Sequence, residues 1–166
     1  MARPSVFVAI LILLALSTLA LVGCVQNSAG ARAQNTSAAD TLSNSTISFP
    51  DRNLTLSVEV ANTPQSIESG LMNRTSLGEK RGMLFDMGRT SRQPFWMYHT
   101  KIPLDAVFLD EQMRVVDIQT MQPCAGENPQ ACVIYTPKAD MRYVLEINAG
   151  AAQRYGIKEG DLARWG

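Results

Sequence analysis

The sequence predicts an α+β domain that is mainly β: a small antiparallel sheet, curled or closed into a barrel, with one N-terminal helix and one short C-terminal helix. Three observations lead there. Short apolar runs separated by turn residues recur between residues 54 and 147, the rhythm of strands rather than of a helical bundle. Helix start and stop signals gather around Pro64 and again around Gly150 to Gly156. Of 166 residues, 46% are hydrophobic and 18% charged, which suits one core and excludes wholesale disorder.

The chain opens on an address rather than on the fold. After Arg3, residues Val6 to Val22 are apolar apart from Ser17 and Thr18. That run lies between the core of a signal peptide, about 7–15 residues, and a spanning helix of about 20. Leu21-Val22-Gly23-Cys24 directly after it resembles a bacterial lipobox, in which the cysteine is lipidated and becomes the new N-terminus. Residues 1–23 are therefore expected to be a lipoprotein-type signal peptide, with Cys24 the lipidation site; the alternative is an uncleaved anchor helix. Both place the remainder on the extracytoplasmic side of a cell membrane. Residues 24–48, rich in Ser, Thr, Asn and Ala, carry only Arg32 and Asp40 as charges and read as a flexible tether.

Residues 49–166 form the expected single folded domain. Leu54, Leu56, Val58 and Val60 alternate with polar residues, as in a strand with one buried face. Thr63 then suits an N-cap and Pro64 the first helical turn, with Ile67 and Leu71 forming an apolar stripe on a helix ending near Asn73. Strands are predicted at Met83–Met87, Phe95–His99, Ala106–Leu109, Arg114–Met121, Val133–Tyr135 and Tyr143–Ile147. Asp110-Glu111 reads as a hairpin connection, and Tyr143, Leu145 and Ile147 share a face. A short helix from Gly150 to Tyr155 stops at Gly156, and residues 157–162 turn into a final edge strand.

The chemistry is narrower. Fifteen Lys and Arg against fifteen Asp and Glu give zero net charge, which argues against a nucleic-acid partner. One His and three Cys leave little for a multi-ligand zinc site, and no cofactor is predicted. If Cys24 is lipidated, Cys124 and Cys132 remain as a pair in an oxidising compartment. A disulfide there stabilises by about 2–3 kcal/mol in the chain-entropy view; a redox or metal-binding dithiol is the alternative, without C-x-x-C spacing.

Met97 and His99 would share a face of a strand and offer a soft Cu(I) site, against the ordinary use of Met as core filler. Trp96, Tyr98, His99 and Asp105 bring an aromatic platform and polar groups into one short stretch, suited to a flat ligand. His99 with Asp105 could instead act as base and orienter in a hydrolase or transferase, although no G-x-S-x-G elbow occurs. Arg74 could bind an anionic ligand or pair with Asp86, Asp105 or Glu146, the last a lone acid in an apolar strand.

Taken in order, Gly70-Leu71-Met72-x-Arg74, Gly82-Met83-Leu84-Phe85, Phe95-Trp96-Met97-x-x-Thr100, Ile102-Pro103-Leu104-Asp105 and Val144-Leu145-Glu146-x-x-Ala149-Gly150 resemble the domain-of-unknown-function family 192. These are small, mostly exported prokaryotic proteins. The resemblance runs from about Leu54 to Leu162, and the cysteine pair before Tyr135-Thr136-Pro137 also resembles family members. His99 departs from the family pattern, where Asn is more usual, which weakens a catalytic imidazole. The resemblance implies a compact, mainly β domain and no established catalytic residues. The expectation is a lipid-anchored, non-catalytic binding or envelope-associated module for a small molecule or envelope component. Its candidate cleft is Arg74, Trp96, Tyr98, His99 and Asp105, with no catalytic residue assigned.

Overall fold

A computed structural model describes residues 42–166 except Ala125 and Glu127. The signal segment, Cys24 and the tether up to residue 41 lie outside the described residues. Strands β1 (Ser43–Phe49), β2 (Leu54–Ala61), β3 (Arg81–Ser91), β5 (Leu104–Leu109), β6 (Val115–Met121), β8 (Met141–Asn148) and β9 (Arg164–Trp165) build one strongly curled, half-barrel sheet in the order β6-β5-β8-β3-β2-β1-β9. A separate two-stranded ribbon pairs β4 (Phe95–Trp96) with β7 (Ile134–Tyr135). The helices are α1 (Pro64–Ser69) and α2 (Ala151–Tyr155), both short.

The expectation of an antiparallel sheet is corrected here: the sheet is mixed, because β2 and β3 run parallel from Ser57↔Arg81 to Ala61↔Phe85. Parallel neighbours need a long crossover. Residues 62–80 supply it, and α1 lies within it, after two strands rather than at the N-terminal end of the domain. The helix starts where local chemistry directs. Thr63 Oγ1 accepts from Ser66 N at 3.1 Å and Ser66 Oγ accepts from Thr63 N at 2.9 Å, a reciprocal cap ahead of Pro64. It ends at Ser69 rather than near Asn73, because Gly70 takes φ +43° and donates back to Ser66 O.

Residues 43–48, expected to belong to the tether, instead form strand β1 (Ser43–Phe49). It pairs with β2 along its whole length and buries Ile47 and Phe49. The predicted strand Phe95–His99 shortens to Phe95–Trp96, and residues 97–100 form a turn in which His99 adopts φ +55°. The remaining strands extend or trim the predicted spans by a few residues. The β5–β6 hairpin turns at Asp110, whose carboxylate accepts from Gln112 N and Arg114 N. Gly156 closes α2 in the left-handed region.

Apolar burial lies on both faces of the sheet. One cluster joins Ile47, Leu56, Leu84, Val107, Leu145 and Ile147 to Ala151 and Ala152 of α2. The other joins Met83, Phe85, Leu104, Phe108 and Val144 to Leu71, beyond α1, and to Met97, beyond β4. Period-2 alternation assigns the faces: in β8, Leu145 and Ile147 serve the first cluster and Val144 the second, so Glu146 falls on the second face. In β5, Leu104, Ala106 and Phe108 serve the second cluster and Val107 and Leu109 the first, which places Asp105 on the opposite face from Glu146.

Candidate functional site

The second face is roofed by two pieces of chain that are not part of the main sheet. The crossover brings α1 and residues 70–74 over β3. Gly70 is needed there, since a Cβ on it would stand 3.2 Å from Phe85 Cζ, and its positive φ strains any other residue. The segment is fixed at its far end by Arg74, whose Nη1 and Nη2 donate to the two oxygens of Glu59 on β2, both at 2.6 Å. Those hydrogen bonds hold the Glu59 carboxyl below its ordinary range and push Arg74 up.

The second roof piece is the β4–β7 ribbon with the turn that follows β4. A Cys124–Cys132 disulfide, with Cα atoms 5.1 Å apart, staples the loop leading into β7. Cys124 N donates to Met97 O and Asn73 N to His99 O, tying the turn to the loop on one side and to the crossover on the other. Trp96 and Tyr98 are two residues apart, and their rings lie 5.3 Å centre to centre; His99 folds its ring back to 3.9 Å from that of Tyr98. Phe95 points inward and meets Phe85 and Phe108 edge to face. Replacing both cysteines by Ser is expected to lower stability by about 2–3 kcal/mol, read from a denaturant midpoint. An unchanged midpoint would contradict the stapling role.

Between the roof pieces is a cavity of about 50 Å³, walled by Leu71, Phe85, Trp96, Tyr98 and Thr100 and floored by Glu146. It opens beside a wider groove of about 390 Å³, with which it shares Ile67, Glu68, Phe95 and Trp96. Glu146 is the unusual group. It is 5% exposed, its sheet neighbours are Met83 and Ala106, and no hydrogen bond reaches its carboxyl among the described residues. Burial alone pushes that carboxyl up to about 8. At neutral pH it is therefore mostly protonated, and its O–H is a donor at the bottom of an aromatic well.

The expected cleft residues are only partly brought together. Trp96 and Tyr98 line the cavity as expected. Arg74 does not: its partner is Glu59, rather than Asp86, Asp105 or Glu146, because the alternating strand that carries Glu59 passes beneath the crossover. Asp105 does not line it either. It is 2% exposed on the other face and accepts from Thr120 Oγ1 at 2.7 Å and from Ala152 N at 3.0 Å, fixing α2. No contact joins it to His99, so the base-and-orienter pair is not assembled. His99 is exposed on a different groove with Asn73, Lys101 and Pro123.

The proposed sharing of a face by Met97 and His99 fails for the same reason. The strand stops at Trp96, and Met97 turns into the core at 1% exposure while His99 turns outward. Among the described residues no group of three or more His, Cys, Asp or Glu is placed to hold a metal. The cavity residue that the sequence undervalues is Glu146, expected there only as a partner for Arg74. Its signal was present as an isolated acid in the strand Tyr143–Ile147; its face became legible only with the sheet.

A model of family DUF192, described as "Uncharacterized ACR", matches residues 46–165. A UPF0127 protein of Thermococcus gammatolerans is 29% identical over 108 residues, covering 65% of this chain and 65% of that protein. A UPF0127 protein of Pyrococcus horikoshii is 36% identical over 62 residues, covering 37% and 47%. The chain thus covers less than two thirds of the length of these relatives. Two crystal structures are similar in fold. One is a candidate transcription regulator from Sinorhizobium meliloti 1021, with TM-score 0.67 and 30% identity over 75% of this chain and 95% of that one. The other is a protein of unknown function from Novosphingobium aromaticivorans, with TM-score 0.62 and 34% identity over 75% and 85%.

Proposed function

We propose, from the premise that the chain belongs to the uncharacterised DUF192 family, that it is a non-catalytic binding module displayed outside the cytoplasm and anchored to a membrane by lipid on Cys24. The observation that carries the binding reading is Glu146: a buried carboxyl with no hydrogen-bond partner among the described residues, lining a cavity whose walls are largely aromatic. Burying an acid at the end of a pocket costs stability, and a ligand that completes its hydrogen bonding recovers that cost. Trp96 and Tyr98 supply a ring platform that orders little on binding, and Phe85 and Phe95 exclude water behind it. The apolar run before Cys24 and the lipobox-like Leu21-Val22-Gly23-Cys24 support the anchor. Among the described residues no helix is long and apolar enough to cross a membrane.

Two measurements test this. In the full chain carrying Trp165→Phe, Trp96 is the only tryptophan left of the two. Titration with small ammonium, hydroxyl, amide and carboxylate fragments is expected to shift its emission for at least one class, and Thr100→Val is expected to weaken that response. If every class leaves the emission unchanged into the high millimolar range, the cavity is not a binding site. Intact mass of the membrane-extracted chain is expected to show a lipid adduct that Cys24→Ser removes. An unlipidated chain that stays in the membrane fraction would replace the lipid anchor with an uncleaved helix.

A further inference from the structure

Resting on that binding reading, we infer that the cavity receives a primary ammonium group at the end of a short apolar stem, seated on Glu146 between the crossover and the Trp96–Tyr98 platform. The first argument is charge. Among the described residues, the side chains that line the cavity include two carboxylic acids, Glu146 at the floor and Glu68 at the rim, and no Lys, Arg or His. An anionic ligand would meet the Glu68 carboxyl at the rim and, among these residues, no cation to neutralise it.

The second argument is the rings. Trp96, Tyr98, Phe85 and Phe95 all border the cavity, and the negative face of an aromatic ring attracts a cation within about 6 Å of its centre. The third is hydrogen bonding. An ammonium offers three donors; Glu146 has no partner among the described residues. Thr100 Oγ1, placed to donate to Tyr98 O at 3.5 Å, keeps lone pairs for a donor. The fourth is size. At about 10–15 Å³ per water-sized group, about 50 Å³ admits only a small head group. The stem then leaves along Ile67 and Phe95 into the wider groove.

The proton balance makes this reading testable. Below pH 8 the free site is Glu146–COOH and the ligand is R–NH3+. In the complex the ammonium faces a carboxylate, so one proton leaves Glu146 for solvent as the ion pair forms. The groups facing Glu146 are Glu68 from α1 and Tyr98 from the turn after β4. The flanking strands β3 and β5 present Met83, Phe85 and Ala106, which do not titrate. Affinity for an ammonium therefore rises with pH, approaching about tenfold per unit between pH 6 and 7.5. A neutral ligand that accepts a hydrogen bond from the protonated acid shows the reverse, losing affinity as pH passes 8.

The experiment is calorimetric titration of the full chain with butylammonium and with 1-butanol, its neutral isostere. Each is run at pH 6, 7 and 8 in two buffers of different ionisation enthalpy. Butylammonium is expected to bind, to tighten at least tenfold from pH 6 to 8, and to release close to one proton at pH 6. Glu146→Gln is expected to weaken it at least tenfold at pH 8 and to abolish the proton release. If that variant does not fold, the pH and buffer series on the unaltered chain decides alone. Equal or tighter binding of butanol overturns the ammonium assignment and leaves the pocket standing. So does butylammonium affinity that stays flat from pH 6 to 8, or binding only of carboxylate or amide fragments. Silence from both probes, together with an unmoved Trp96 emission for every fragment, overturns the pocket as well.

Discussion

Glu146→Gln is expected to flatten the alkaline side of the stability profile, gaining about 4 kcal/mol on the native chain between pH 4 and pH 8. The folded carboxyl is pushed up to about 8 from an ordinary value of 4.5 by burial. A raised carboxyl contributes its full stability below the unfolded value and loses it as pH climbs toward the folded one, because the unfolded chain ionises first. At about 1.4 kcal/mol per unit, the whole interval from 4.5 to 8 is worth about 5 kcal/mol, of which about 4 is lost by pH 8, where the folded carboxyl is half ionised. The acid side has the opposite sign: Arg52 and Arg74 hold Asp161 and Glu59 below their ordinary range, so their stabilisation is lost as pH falls. Both chains share that acid loss, and subtracting one profile from the other isolates Glu146. Urea midpoints at pH 4, 6 and 8 measure it; parallel profiles would mean that the acid is solvated or paired in solution.

Asp105→Ala should do the converse, lowering stability by about 2–4 kcal/mol while leaving butylammonium affinity unchanged. The Asp105 carboxylate accepts the buried Ala152 N–H at 3.0 Å and so anchors the first turn of α2 to β5. Removing it strands that donor and opens a gap in a close-fitting layer. Thr120, its other partner, is exposed and turns to water instead. Because Asp105 and Glu146 lie on opposite faces of the sheet, the two substitutions should separate cleanly. One changes the denaturant midpoint without affecting binding, and the other changes binding and its pH dependence. A folded Asp105→Ala chain that no longer binds would show that the two faces are coupled.

Much of the fold was legible where local chemistry decides. Thr63 and Pro64 start α1, Gly156 ends α2, and Tyr143, Leu145 and Ile147 share a face because period-2 alternation needs no knowledge of partners. What escaped was non-local. Strand β1 buries only Ile47 and Phe49 beneath a polar exterior, so its composition matches that of a tether. The parallel pairing of β2 with β3 depends on where the crossover lands. Arg74 chose Glu59, an acid that in sequence is merely the polar side of an alternating strand. The site divided the same way. Trp96 and Tyr98 were readable from their spacing, whereas the turn at Met97 separated His99 from Met97. The placement of Asp105 and Glu146 required the strand order.

The pairing of β9 with β1, through Ile47↔Trp165 and Ser48↔Arg164, closes the margin of the sheet at which the described chain enters the fold. A pull from the N-terminal side would enter at Ser43 and meet the ladder of β1 with β2 from Ser43↔Val60 to Phe49↔Leu54. The C-terminus returns to this margin, where Gly166 N donates to Thr46 O. The cavity floor sits on β8, separated from β1 by β3 and β2. Force entering at Ser43 would therefore be met at one margin of the sheet, three strands away from the one that holds Glu146.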